Sequence, residues 1–401
     1  MMAAIIPNKS LIFTSAPTRN ATMMRMFSSR LNWNAAANPL ARLVEEKKAA
    51  GAPLLDLTES NPTQSGIVYP REVLEALGDA RGLRYEPTPL GLAAAREAVA
   101  EYYAQHGREV SPDRIVLTAS TSEAYAYLFK LLANPGDAVL TPRPSYPLFE
   151  FLAALESVAV RQYPLRYDGA WHVDFGEMER AISERTRAIV AVNPNNPTGS
   201  FLTNEERERL QAIALERGIA VLMDEVFLDY AFETREERCG GDRALTFTMS
   251  GLSKIAGLPQ MKLGWIVVYG DRAKEAMQRL EWIADTYLSV ATPVQTALAR
   301  LLELAVGVRE QIRERTGQNL AALRAQFSGS AVQVLNVEGG WNAILRVPRI
   351  RSEQEWVIAL LRDRDVLVQP GYFYDFESEA FLVVSLLTKP EIFGEGIRRI
   401  I

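Results

Sequence analysis

Short, almost continuously apolar runs alternate with helix-forming stretches through the middle of the chain. The strands of a parallel sheet have this pattern because helices cover both faces of the sheet. The alternation therefore predicts an α/β fold, with a mostly parallel sheet between helices over about residues 71–292. The predicted strands lie at 114–117, 138–140, 188–192, 219–223, 245–249 and 265–269.

Helix-start signals support the same alternation. Ser120 and Thr203 each precede a glutamate by three residues, which is the capping-box pattern of a helix N-terminus. Gly218 stands where a left-handed residue commonly ends a helix. We therefore expect one helix that continues to Leu132 and a second that ends just before Gly218.

The pattern changes after about residue 292. A long charged helix is predicted over about 294–327, and another helix over 353–364. Short strands are predicted at 331–337, 343–347 and 381–385. This mixture is typical of a smaller α+β domain. We expect residues 26–70 and 293–401 to form the small domain and residues 71–292 to form the large one.

The first 44 residues contain no aspartate or glutamate, and residues 1–25 are not expected to be part of the fold. Two interpretations stay open for them. They are an extension upstream of a start at Met26, or they are a mitochondrial presequence. The first interpretation predicts a cytoplasmic protein and the second a mitochondrial one.

Composition excludes several classes of function. The 44 Lys and Arg residues are outnumbered by 49 Asp and Glu residues, so the net charge of -5 argues against a nucleic-acid partner. One cysteine and two histidines are too few for a thiolate cluster or a multi-histidine zinc site, so no metal is expected. The sequence contains no run of eighteen apolar residues, so no membrane-spanning helix is predicted.

Chemically distinctive residues follow the predicted strands, where ligands bind in open α/β sheets. The set comprises a hydroxyl-rich helix start, an aromatic ring, an amide, a carboxylate and a lysine. Such a set suits an aromatic, phosphorylated cofactor with a carbonyl group that a lysine holds as a Schiff base, and pyridoxal phosphate is the candidate. The residues are Thr118 to Ser122, Tyr146, Asn196, Asp224 and Lys254.

Three motifs resemble those of the class I/II aminotransferases of the aspartate aminotransferase type. They are Asn196-Pro-Thr-Gly199, Asp224-Glu-Val226, and Ser253-Lys254 with Leu263-Gly-Trp265, in the family order. The resemblance covers about residues 30–401. It implies the fold type I of pyridoxal-phosphate enzymes and a homodimer with shared active sites. It also implies that the amino group of an amino acid passes to a 2-oxo acid in a ping-pong cycle.

The resemblance implies a role for each matching residue. Lys254 would hold the cofactor and move protons, and Asp224 would keep the pyridine nitrogen protonated. Asn196 would hydrogen-bond the 3′ oxygen of the ring, and Tyr146 would stack on the ring. The phosphate would be held by Thr121, Ser122 and Ser253, with Tyr85 reaching from the neighbouring subunit.

Three positions depart from the family pattern. Phe227 replaces a tyrosine that donates to the 3′ oxygen, so one donor is lost. Lys262 replaces a phosphate-binding arginine, so the charge is kept but the bidentate fork is not. Val383 stands where the family has the arginine that grips the substrate carboxylate, and this departure has the largest consequence.

Two explanations of Val383 stay open. In the first, another cation or polar group binds the carboxylate, and the candidate cations are Arg346, Lys389 and Arg30. Alternatively, the substrate is an amine or another compound that is not a plain α-amino acid. The predicted substrate-binding residues are Asn61, in the segment 60–63, and Tyr372, beside Tyr374. Trp341 and Asn342 are further pocket candidates.

The departures keep alternative functions open. A lyase on the same scaffold would catalyse β-elimination, decarboxylation or cyclisation, and the missing arginine favours it. A cofactor-binding regulator would need an added DNA-binding domain, for which residues 1–30 leave too little room.

Overall fold

The computed structural model describes residues 28–31, 38–233 and 243–400. The predicted extension at 1–25 lies outside these residues. The α-helices are α1 (Pro39–Ala49), α2 (Glu72–Glu75), α3 (Ala93–Gln105), α4 (Thr121–Leu132), α5 (Phe149–Leu155), α6 (Phe175–Ala181), α7 (Asn204–Arg217), α8 (Leu252–Ile255), α9 (Ala273–Tyr287), α10 (Thr292–Phe327), α11 (Glu353–Arg364) and α12 (Pro390–Arg399). Short 3₁₀ helices are Ser29–Leu31, Ala76–Gly78, Ala80–Leu83, Pro112–Arg114, Leu228–Tyr230, Pro259–Met261 and Gly371–Tyr374.

The strands form a large sheet, a smaller sheet and one separate pair. They are β1 (Leu55–Asp56), β2 (Ile115–Thr118), β3 (Ala138–Arg143), β4 (Ala159–Tyr167), β5 (Trp171–Val173), β6 (Thr186–Val192), β7 (Ala220–Asp224), β8 (Thr246–Gly251), β9 (Gly264–Tyr269), β10 (Gln333–Val334), β11 (Asn342–Arg346), β12 (Val366–Leu367), β13 (Gln369–Pro370) and β14 (Phe381–Ser385).

The large sheet has eight strands in the order β2-β9-β8-β7-β6-β3-β4-β5. Strands β8, β7, β6, β3 and β4 are parallel, which confirms the predicted α/β class. Strand β9 lies antiparallel between β2 and β8, so β2 points the same way as β8. The carboxyl ends of β2, β8, β7, β6 and β3 therefore meet at one edge of the sheet.

Helices cover both faces of this sheet. Along β6, Val190 packs in the cluster that includes α4 and α9, whereas Ile189 packs in the cluster that includes α7. Both faces of β6 are apolar because neither faces water, which explains its nearly continuous apolar run.

Local capping contacts start and end these helices as predicted. Ser120 Oγ accepts from the Glu123 N–H at 3.2 Å and begins α4. Thr203 and Glu206 form a reciprocal capping box at α7, and Gly218 ends that helix in the left-handed conformation with φ of 63°. The contacts of Ser120 and Thr203 satisfy N–H groups that have no partner within the helix, and the Gly218 N–H donates to carbonyl groups of the last turn.

The chain after α10 forms an antiparallel sheet in the order β10-β11-β14-β13, and β12 pairs in parallel with β1. Helix α11 begins at a second capping box, between Ser352 and Glu355. The strand expected at 331–337 is shorter than predicted, because only Gln333–Val334 pairs with β11. The domain boundaries at residues 70 and 292 stay a prediction.

Helix α10 has 36 residues and contributes to more than one core. Leu298 and Leu301 pack beside the large sheet, whereas Leu320 and Leu323 pack in the core of the smaller sheet. At 1.5 Å per residue the helix is roughly 54 Å long. None of the helices in the described part of the chain is long and apolar enough to cross a membrane.

Candidate active site

A pocket opens at the edge where the large sheet's parallel strands end. Its lining includes Thr121, Ser122, Tyr146, Asn196, Asp224, Phe227, Ser253 and Lys254, all of which were predicted site residues. The opposite side is formed by Thr58, Ser60, Trp341, Asn342, Gln369 and Tyr374. Two stretches of chain that are distant in sequence thus build one pocket.

Lys254 lies in α8, directly after β8, and its half-buried side chain lines the pocket. Its Nζ is 4.8 Å from the ring centroid of Trp341 and 5.5 Å from that of Phe227. Burial lowers the pKa of Lys254 to about 8, against the opposing effect of the Asp224 carboxylate. The Tyr230 hydroxyl donates to the Lys254 carbonyl at 2.6 Å and fixes the backbone that carries this amine.

Asp224 ends β7 and is buried beside the lysine. Its carboxylate accepts from the Tyr125 hydroxyl at 2.9 Å and from the Val226 N–H at 3.2 Å. Burial raises the pKa of Asp224 to about 6, although both hydrogen bonds act in the opposite direction. A carboxylate held in this way is poised to pair with a cationic group in the pocket.

Tyr125 was missed in the sequence, although a signal was available. It stands four residues after Thr121 on the same helix, and residues at this spacing share one face. The predicted contact of Thr121 with the ligand therefore also implied that Tyr125 faces the pocket.

Asn196 is oriented by a second amide. The Asn342 Nδ2 donates to Asn196 Oδ1 at 2.7 Å. This bond uses the oxygen of Asn196, so its amino group is left to donate into the pocket. Asn342 comes from β11 of the smaller sheet, and the contact joins the pocket's two sides.

Two glycines allow the chain to come close at the start of α4. A Cβ on Gly264 would lie 3.2 Å from the Thr121 nitrogen and 3.1 Å from the Ser120 carbonyl carbon. A Cβ on Gly251 would lie 2.7 Å from the Gly264 Cα. This packing brings the Ser253 hydroxyl to the same pocket as the helix start, where N–H groups and hydroxyls suit an anion.

Four predicted site residues lie outside this lining. Tyr85 is 76% exposed, and Lys262 is exposed in a left-handed conformation with φ of 49°. The Asn61 side chain accepts from the Thr63 N–H, and the Tyr372 ring packs edge-on against Phe373. The neighbouring residues Ser60 and Tyr374 line the pocket instead. The predicted ligand contacts of these four residues stay predictions.

Val383 is buried in β14, paired with Ile344 on one side and Gln369 on the other. It is not among the lining residues, and neither are Arg346, Lys389 and Arg30. Arg346 donates to Gln333, and Arg30 donates to the Leu155 carbonyl. Within the described residues, Lys254 is therefore the one cation of the pocket lining.

The family model of the class I and II aminotransferases matches residues 52–399 of the chain. Nicotianamine aminotransferase 1 of Oryza sativa subsp. japonica is 29% identical over 305 residues, which cover 72% of this chain and 60% of that protein. Tyrosine aminotransferase of Mus musculus is 29% identical over 288 residues, 67% of this chain and 62% of that protein. The chain thus spans about three fifths of the length of these two relatives.

A bacterial relative is covered more completely. Glutamate-pyruvate aminotransferase AlaA of Haemophilus influenzae is 27% identical over 365 residues, 86% of this chain and 88% of that protein.

Solved structures show the same fold. Alanine aminotransferase from Pyrococcus furiosus superimposes with a TM-score of 0.81 at 23% identity, covering 90% of this chain and 94% of that one. Aspartate aminotransferase from Thermotoga maritima gives a TM-score of 0.80 at 20% identity, covering 93% and 98%. Proteins of the matched family use pyridoxal phosphate. With the family match extending over most of its length, the chain belongs to the class I and II aminotransferases.

Proposed function

We propose that the protein is a pyridoxal-phosphate-dependent aminotransferase that moves an amino group from an amino acid to a 2-oxo acid. The observation that carries the proposal is the buried Lys254 amine, which shares one pocket with the buried Asp224 carboxylate. Neither group has an ordinary solvent environment, and perturbed titratable pairs of this kind are typical of catalytic sites.

The pocket residues fit the cofactor at each of its functional groups. The start of α4, with Thr121, Ser122 and Ser253, would hold the phosphate. The free amino group of Asn196 would donate to the ring oxygen, and Tyr146 would pack on the ring. Asp224 would face the pyridine nitrogen. Phe227 offers the ring oxygen no donor, so Asn196 would be its main partner on this side.

Bound pyridoxal phosphate would supply a carbonyl for the amine and an electron sink for the substrate's α-carbon. Lys254 Nζ would take the proton from that carbon and later return one. An amine whose pKa is about 8 has a larger neutral fraction near physiological pH than an ordinary lysine, and this neutral fraction can act as a base. Asp224 would keep its negative charge because a protonated ring nitrogen replaces water as its partner.

We also propose that two copies of the chain associate. Four large apolar side chains stand exposed within residues 68–85, namely Val68, Leu74, Leu83 and Tyr85. Single exposed apolar residues are ordinary, but several within one short segment are typical of an interface. A second copy would cover this segment and bring Tyr85 of one subunit towards its neighbour.

A half-reaction tests the activity. The holoprotein is mixed with single L-amino acids, and separately with simple amines, in the absence of any acceptor. An aminotransferase is expected to form about one equivalent of 2-oxo acid per cofactor without releasing ammonia. The products are measured by mass spectrometry and an ammonia assay, with Lys254→Ala as the inactive control.

Two results would contradict the proposal. Continuous release of ammonia with a keto product would identify a lyase, and no reaction with any donor would refute amino-group transfer for this panel. Retained Schiff-base trapping by borohydride in Lys254→Ala would overturn the assignment of the lysine.

A further inference from the structure

One wall of the pocket is formed by Gln369 of β13 and by Tyr374 of the turn that follows it. The polar groups of this wall are uncharged. Of the described residues that line the pocket, Lys254 and Asp224 alone are charged, and they balance each other. The remaining polar side chains are amides, hydroxyls and the indole of Trp341. A substrate carboxylate that enters this pocket therefore meets neutral donors on this wall.

Gln369 is the amide of this wall that lies nearest to the position of Val383. It is 7% exposed, and it stands directly opposite Val383 in the β13–β14 pairing. Side chains of directly paired residues lie on the same face of a sheet. Gln369 thus occupies the face on which a long side chain at position 383 would lie.

A hydrogen bond sets the orientation of the Gln369 amide. The Tyr374 hydroxyl donates to Gln369 Oε1, which uses the amide oxygen. Within the described residues, no acceptor is paired with the Gln369 Nε2. Its two N–H donors therefore remain for a ligand that enters the pocket.

The turn that carries Tyr374 is itself held by a buried carboxylate. Glu353, in α11, accepts from the Tyr372 N–H at 2.7 Å and from the Phe381 N–H at 2.8 Å. These bonds connect the turn to the start of β14. The amide donors are therefore presented from a rigid frame rather than from a free loop.

We propose that Gln369 binds the carboxylate of the substrate through its Nε2 donors, so that a neutral amide selects carboxylate-bearing substrates in this enzyme. The inference rests on the proposed aminotransferase function. A carboxylate accepts hydrogen bonds only, so it can accept from an N–H of this amide; the two N–H bonds diverge from one nitrogen and do not form the parallel pair of a guanidinium. An enzyme that binds the carboxylate through an arginine forms an ion pair, and Gln369 does not. The preference for an acid over the corresponding amine should therefore be smaller than in such an enzyme, and less sensitive to salt.

The test compares substrates with and without the carboxylate. The values of kcat/KM for the half-reaction are measured with L-phenylalanine and 2-phenylethylamine, and with L-alanine and ethylamine. Gln369→Ala is expected to lower the acid-to-amine ratio about ten- to a hundredfold, the range for losing a hydrogen bond to a charged group. Gln369→Glu is expected to lower the ratio further because two carboxylates repel each other.

Two further measurements separate binding from a structural effect. Calorimetry with 3-phenylpropionate and holoprotein is expected to show weaker binding in Gln369→Ala, whereas the amount of retained cofactor stays the same. Gln318→Ala, on the exposed side of α10, is the matched control and should change neither quantity. If Gln369 had only a structural role, Gln369→Ala would lower kcat/KM for the acid and for the amine together and leave their ratio unchanged.

The two possible failures are distinguishable. If the wild-type protein reacts with no amino acid, the proposed function fails. If it reacts and the ratio in Gln369→Ala stays within twofold of the wild-type ratio, the assignment of Gln369 is wrong and the aminotransferase activity stands.

Discussion

At the residue scale, the site depends on two opposite charges that are both removed from water. Burial lowers the pKa of the Lys254 amine and raises that of the Asp224 carboxylate, so burial favours the neutral form of each. The negative charge of Asp224 partly restores the pKa of Lys254, and the positive charge of Lys254 acts on the pKa of Asp224 in the same restoring way. The lysine can therefore be neutral at a pH where an exposed lysine is charged.

This coupling predicts a pH profile. In the cofactor-free protein, acylation of Lys254 is expected to rise through about pH 8, because only the neutral amine reacts. Asp224→Asn removes the carboxylate that raises the lysine's pKa, so the midpoint should move below pH 8. Mass spectrometry of the modified peptide measures it, and the exposed Lys274 of the same sample is the internal control. A midpoint that is unchanged or moves upward would contradict the coupling.

The sequence predicted the side of the pocket that belongs to the large sheet and, on the opposite side, Trp341 and Asn342, but it did not predict Gln369. Asp224 and Lys254 follow apolar runs that are recognisable locally, so their convergence could be inferred from the sequence. Gln369 has no such signal, since it stands between Val368 and Pro370 and reaches the pocket through a strand pairing. Sequence spacing does not contain that pairing.

At the element scale, close packing of the ends of β8 and β9 against the start of α4 shapes the proposed phosphate end. The direction of β9 was not predictable, because a buried apolar run is the same in a parallel and an antiparallel strand. Its antiparallel course brings Gly264 beside Gly251 and the backbone of Thr121. Only glycine leaves enough space at this contact.

A methyl group at this contact should be destabilising. In Gly264→Ala the new Cβ would lie within 3.2 Å of the α4 backbone, and we expect a loss of about 1–3 kcal/mol in unfolding free energy. Retention of pyridoxal phosphate should weaken as well. Denaturant unfolding and equilibrium dialysis measure the two effects.

Gly317→Ala is the matched control for this substitution. A Cβ there meets nothing within 4 Å inside α10, so a gain of about 0.5–1 kcal/mol is expected from helix propensity. Equal stability of the two variants would show that the contact at Gly264 is not tight.

The raised pKa of Glu353 predicts how the protein's unfolding free energy depends on pH. Burial raises its pKa to about 7, although backbone N–H groups donate to the carboxylate. A folded-state pKa above the unfolded value contributes stability that is complete at low pH and is lost as the pH rises through about 7. Glu353→Gln does not titrate, so its unfolding free energy should decline less than that of the wild type between pH 4.5 and 7.

Chemical denaturation at several pH values checks this prediction. The exposed Glu314 supplies the control variant, Glu314→Gln, which should follow the wild-type curve. Parallel curves for wild type and Glu353→Gln would show that this carboxylate does not contribute to the pH dependence.

At the scale of the whole molecule, the exposed apolar segment at 68–85 predicts a dimer. Leu83 is 91% exposed, and a charge there would have to be buried in the proposed interface. Leu83→Glu is therefore expected to shift sedimentation from dimer towards monomer. Ile350→Glu, at a residue that is 73% exposed elsewhere on the surface, should remain dimeric. A wild-type monomer at micromolar concentration would refute the association.

The pairing of residues 55–59 with residues 366–385 has a consequence for synthesis. Strand β1 pairs with β12, and Ser385 Oγ donates to the Glu59 carbonyl across 326 positions of sequence. The strands of the large sheet, with Lys254 and Asp224, are synthesised well before residues 366–385. Residues 55–60 are made early, but their partners in the structure are made only near the end of synthesis. The pocket therefore needs nearly the whole chain before Gln369 can face Lys254.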